Sequence, residues 1–156
     1  MTDLSADELT QRRDAAEQTL AAWKRKKWRM GYADCVRLTA SHLRRLGYHV
    51  RIPAEGRYAS PRAAMKELKA RGFDNLSQWL EDIGLEPIAP AAAVVGDILM
   101  LRADHPLGAL TVALGNGRVL GWLDDAGHTP IVMQPVEYQQ AWRVTPRGLR
   151  QGIDEP

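Results

Sequence analysis

Apolar residues recur at helical spacing through the first half of the chain and at strand spacing through the second. Ser5 and Glu8 form a capping box in which each side chain satisfies an orphan amide of the other, and Leu4 and Leu9 flank it as a hydrophobic staple. Leu9, Ala16, Leu20 and Trp23 then make an apolar stripe, and Lys24 to Lys27 follow where cations oppose the helix dipole. A second helix is expected from about Asp34 to Leu46, with Val36, Ala40, Leu43 and Leu46 as its stripe and Gly47 as its stop. Ser60-Pro61 opens a third helix that Gly72 closes, and a short fourth covers Leu76 to Ile83 before Gly84.

Glu86 to Pro90 is punctuated by proline and reads as a linker within the domain. Strands are expected at Ile98 to Leu101, Leu110 to Leu114, Val119 to Leu123, His128 to Met133 and Trp142 to Val144. Asn116-Gly117 marks a hairpin, because a tight turn there requires positive φ. Asp124 to Gly127 marks another turn. Helices first and a strand meander after them predict an α+β fold with a mostly antiparallel sheet. Residues 1–144 are expected to form one domain, with residues 1–27 as its N-terminal helix, and 145–156 a tail with little to bury.

Composition narrows the function classes. At 156 residues, one domain can bury a core without staples. A net charge of +2 with scattered basic residues argues against a nucleic-acid partner. The basic run Trp23 to Arg29 is expected to be a helix end with its tryptophans packed inward. Trp79, Trp122 and Trp142 are expected in the core or at an interface. The single cysteine excludes an intramolecular disulfide framework and a cysteine-rich zinc site. Asp124 and Asp125 adjoin in a turn without further ligand spacing, so no metal and no cofactor are expected. The longest apolar stretch, from Ala91 to Leu101, is broken by Gly96-Asp97, and the polar N-terminus does not read as a secretory signal.

The chemistry concentrates at Gly31-Tyr32-Ala33-Asp34-Cys35-Val36. A cysteine in the first turn of a helix meets the positive end of the dipole and unpaired backbone N–H groups, which favour a thiolate. Such a thiolate attacks a carbonyl when a histidine within reach manages the proton. The competing account of Cys35 is a small buried hydrophobe. His42 lies two turns along the same helix, roughly 10 Å away, which is out of reach. His49 follows the far end of that helix, and His128 begins a strand beyond the hairpin. His105 precedes a strand on a loop able to bend back, and is the histidine to test as base.

Three phrases in order carry a resemblance: Asp34-Cys35 at a helix start, Val95-Gly96-Asp97-Ile98-Leu99, and Val112-Ala113-Leu114-Gly115-Asn116-Gly117 running into Arg118-Val119-Leu120. From Trp28 to Leu123 the chain resembles the NlpC-type papain-like cysteine peptidases, in particular a diverged branch found in phage tail tips and gene-transfer particles. The resemblance implies a papain-like α+β fold with Cys35 at the nucleophile position. Counting back from Gly115-Asn116-Gly117, the family's catalytic histidine falls on Ala109 and the residue orienting it on Gly121. Neither side chain accepts a proton or polarises an imidazole.

Two functions follow as expectations. The first is a tail-tip or baseplate component, assembled in the host cytoplasm and carried in the virion tail, that has lost catalysis and docks on hub or distal-tail proteins. The second is an active cell-wall cysteine endopeptidase or amidase, with Cys35 as nucleophile and His105 as base, acting on peptidoglycan peptide during DNA entry. A cytoplasmic protein of prophage origin is a third possibility. None of these requires membrane insertion.

Overall fold

The computed structural model describes residues 4–122 and 127–147. The expected turn at Asp124-Asp125, and the tail from residue 148 on, lie outside the described residues. Four helices come first: α1 (Ala6–Trp23), α2 (Cys35–Arg45), α3 (Pro61–Ala70) and α4 (Leu76–Ile83). Each begins at a side-chain cap, since Ser5, Asp34, Ser60 and Asn75 accept from the backbone N–H groups of Glu8, Arg37, Ala63 and Gln78. Six strands follow: β1 (Glu86–Ile88), β2 (Ile98–Leu101), β3 (Ala109–Gly115), β4 (Arg118–Gly121), β5 (Ile131–Met133) and β6 (Gln140–Arg143). They form one antiparallel sheet in the order β1-β6-β2-β3-β4-β5.

The α+β class with helices leading is therefore observed. Two expectations are corrected. The stretch read as a linker contributes β1, which pairs Glu86 to Ile88 with Arg143 to Ala141 at the sheet edge. Residues 145–147 are not loose: the Thr145 carbonyl accepts from Tyr48 Oη at 2.7 Å, and Arg147 N–H donates to the Leu46 carbonyl. The Arg147 guanidinium also stacks over the Tyr48 ring.

Strand alternation divides the core. Ile98, Met100, Leu110, Val112, Leu120 and Trp142 belong to the large cluster formed with α2, α3 and α4. Leu99, Ala113, Val119 and Ala141 form a smaller cluster with Ile88, Ala93, Met133 and Tyr138 on the other face. Both faces of β3 are thus covered, and α1 and α2 pack across it.

The buried face of α1 is rotated from the expected stripe. Arg12, Ala15, Ala16, Thr19 and Trp23 are buried, while Leu9 and Leu20 are only half-buried. Arg12 is tolerated inside because Asp97 meets it, with Arg12 Nη1 donating to Asp97 Oδ1 at 2.9 Å and to the Val95 carbonyl at 3.1 Å. Asp97 also accepts from Val144 N–H, Val94 N–H and Arg143 Nε, so its carboxylate ties α1, β2 and β6 together. Gly96 permits this approach: its φ is +90°, and an added Cβ would touch Arg12 Cβ at 3.4 Å. The Gly96-Asp97 phrase is accordingly a structural anchor.

Candidate functional site

The chain reaches α2 through a tight turn. Arg29 and Ala33 exchange backbone hydrogen bonds across it, and the turn delivers Asp34 as helix cap. Asp34 is buried, its Oδ1 accepting from Arg37 N–H at 3.0 Å and its Oδ2 from Gly31 N–H at 2.8 Å and Tyr58 Oη at 2.9 Å. Burial, and then the neighbouring Asp34 charge, raise the Tyr58 phenol above its ordinary value, so it stays a donor. This buried triangle holds Cys35 at the first position of α2, as the sequence indicated.

Cys35 is 6% exposed, and what it faces is a cavity of about 270 Å³. Trp28 and Trp122 wall the cavity, their rings edge-on with centroids 5.4 Å apart. Leu101, Leu110 and Met133 supply further apolar wall, and Arg102 and Asp104 supply its charged side chains. His105 lines the same cavity. It stands at the head of a turn, where its carbonyl accepts from Gly108 N–H at 3.4 Å. The β2–β3 connection thus brings His105 into the lining of the cavity that Cys35 also lines.

Ala109 opens β3 and also lines the cavity. Gly121 closes β4 against Thr111, and a Cβ built on Gly121 would stand 2.7 Å from Thr111 Cγ2. Thr111 is fully buried and donates from Oγ1 to the Leu99 carbonyl at 2.9 Å. A side chain at position 121 therefore requires Thr111 to move.

The remaining histidines lie elsewhere. His42 is buried on α2; its Nε2 donates to the Gly96 carbonyl at 2.9 Å and its Nδ1 accepts from Thr19 Oγ1 at 2.9 Å. Burial is the main cause that pushes its imidazole down from 6.5 to about 4, which keeps it neutral at physiological pH. His49 and His128 are exposed, and His128 contributes its backbone carbonyl to Trp28 N–H. Among the described residues, no group of three His, Cys, Asp or Glu side chains has the arrangement to hold a metal.

Sequence reasoning missed the cavity walls and Tyr58. Trp28 was expected to pack inward and Trp122 to lie in the core or at an interface, and their meeting beside Cys35 depends on how the end of β4 lies against the loop before α2. Tyr58 carried no local signal, since its partner Asp34 stands 24 positions earlier.

Fold and site together define an α+β domain with a cysteine at the head of a helix, facing an aromatic-walled cavity at the end of the sheet. The chain belongs to the DUF6950 family, described as a domain of unknown function, whose model matches residues 8–144. No curated protein matches the chain. No helix among the described residues is long and apolar enough to cross a membrane.

Proposed function

We propose that this chain is an NlpC-type papain-like domain whose cavity works by thiol chemistry, with Cys35 as nucleophile and His105 as base. The observation that carries this reading is that Cys35, at the first position of α2, and His105, from the β2–β3 turn, line one cavity. His105 would then serve from the loop in place of a histidine on the strand, where Ala109 stands.

In the proposed reaction, His105 takes the thiol proton while the Cys35 sulfur attacks an amide carbonyl. Collapse of the adduct breaks the C–N bond, and the imidazolium returns the proton to the departing amine. The resulting thioester is hydrolysed by water, which releases the acid and restores the thiol. The resemblance to cell-wall peptidases makes a peptidoglycan peptide the amide to test.

Purified protein is incubated with peptidoglycan and the soluble fragments are analysed by mass spectrometry. New peptide termini are expected from the wild type and none from Cys35→Ala. His105→Ala should release them roughly 10²-fold or more slowly. An inert wild type whose Cys35 alkylates no faster than a cysteine in a short peptide would overturn this reading.

A second reading is favoured by a specific observation: Ala109 and Gly121 stand at the two remaining family positions, and Thr111 crowds position 121. On this account catalysis is lost, and the domain docks on hub or distal-tail proteins of a phage tail tip or baseplate, assembled in the host cytoplasm. Co-expression with the tail proteins encoded beside it would yield a complex that Cys35→Ala and His105→Ala leave intact. A gene outside any tail cluster would count against it.

A further inference from the structure

His105 sits on a short turn whose other end is anchored in the core. His105, Pro106, Leu107 and Gly108 are its four residues, closed by Gly108 N–H donating to the His105 carbonyl. Pro106 supplies the fixed φ that the second position of such a turn favours. Gly108 has φ +84°, and an added Cβ there would meet Met100 Sδ at 2.7 Å. Between them Leu107 is 5% exposed, although its neighbours Asp104 and Pro106 are exposed. It joins Val36, Tyr58, Leu68, Leu76 and Trp79 in walling a narrow cleft of about 40 Å³ between α2 and the α3–α4 pair.

We infer that Leu107 is a positioning residue for His105: by seating in the core beside α2, it holds the turn so that the imidazole stays at the Cys35 cavity. The seven-residue connection from Arg102 to Gly108 has no other buried apolar side chain, so Leu107 is its anchor in the apolar core. Val36 adjoins Cys35 in α2, so the surface that receives Leu107 belongs to the same first helical turn as the thiol. The turn and the nucleophile are thereby referenced to one rigid element. This inference rests on the proposed pairing of Cys35 with His105.

The test is the pH profile of Cys35 alkylation by iodoacetamide in the intact chain, with thermal melts to show which variants fold. In the wild type the rate should rise in two steps, and His105→Ala should abolish the lower one. Leu107→Ala should abolish it too, while Leu107→Met, which refills the cleft, should retain it. Should Leu107→Ala fail to fold, Leu107→Val removes less volume and is read in its place. Loss of the lower step in the folded small variant together with its retention in Leu107→Met supports the inference. Retention of the lower step in that small variant, with loss in His105→Ala, overturns it and leaves the thiol reading standing. A wild-type lower step that survives His105→Ala overturns the pairing, and the inference with it.

Discussion

Arg12 and Asp97 form an ion pair of 2.9 Å in which neither side chain reaches solvent. The two residues stand 85 positions apart, and their contact is what fastens the first helix to the sheet. Burying two charges is tolerated only when nearly every donor and acceptor is matched. Asp97 meets that condition with four donors: Arg12, Arg143 and the N–H groups of Val94 and Val144.

The two partners are therefore unequal. Asp97→Asn removes the buried counter-charge of both Arg12 and Arg143, leaving Arg12 only the partly exposed Glu8 carboxylate, and should destabilise the fold by about 3 kcal/mol. Arg12→Met should cost less, because Asp97 keeps Arg143 and two backbone donors and the Met side chain replaces the aliphatic stem. Urea unfolding reads both as shifts of midpoint at constant slope. A larger loss for Arg12→Met than for Asp97→Asn would contradict this account.

His42 gives the fold a pH dependence of known sign. Unfolded, its imidazole takes a proton near 6.5; folded, burial delays this to about 4. Between those values the unfolded chain binds more protons, so stability is full above pH 6.5 and declines as pH falls towards 4. The loss over that window should reach about 3 kcal/mol. His42→Gln, which can still donate to the Gly96 carbonyl, should show a correspondingly shallower decline. Parallel stability profiles for the two proteins would rule His42 out as the source.

The local devices read in the sequence were legible because each is short: the caps Ser5 and Ser60, and the turn at Asn116-Gly117. The position of β6 was not. Trp142 pairs with Pro87 on one side and Ile98 on the other, a placement set by burying its ring and by Arg143 reaching Asp97. The orientation of α1 was misjudged for a related reason. A helix face bearing Arg12 and Thr19 reads as polar until the distant partners Asp97 and His42 are known. At the site, the place of Cys35 in the first turn of α2 was legible. The approach of His105 depended on Leu107 finding a cleft, which the sequence does not show.

Asp34 should matter more than an ordinary helix cap. Asp34→Ala removes the cap and strands the buried Gly31 N–H and Tyr58 Oη, for a combined cost of about 3 kcal/mol. Tyr58→Phe deletes one donor and leaves the carboxylate two others, so about 1–2 kcal/mol is expected. Asp34→Ala should also let the Tyr58 phenol ionise at lower pH, since a carboxylate no longer opposes its charge. Ultraviolet titration of Asp34→Ala against wild type checks this. An unchanged phenol titration would mean that Tyr58 is held up by burial alone.

On the proposed NlpC-type reading Gly121 stands where an orienting residue would be, and the packing around it decides whether one fits. A Cβ at this position would stand 2.7 Å from Thr111 Cγ2, and Thr111 is held by its bond to the Leu99 carbonyl. Gly121→Ala should therefore cost about 1–3 kcal/mol through overpacking. Thr111→Ser deletes the offending methyl and keeps the hydroxyl, so the double variant should be more stable than Gly121→Ala alone. That coupling is measured as a double-mutant cycle by chemical unfolding. Recovery in the double variant would establish that β3 closes position 121 to any larger side chain, and hence that His105 must act, if it acts, without an orienting partner there. A fully stable Gly121→Ala would show instead that Thr111 yields, and the steric argument for a reduced constellation would fall with it.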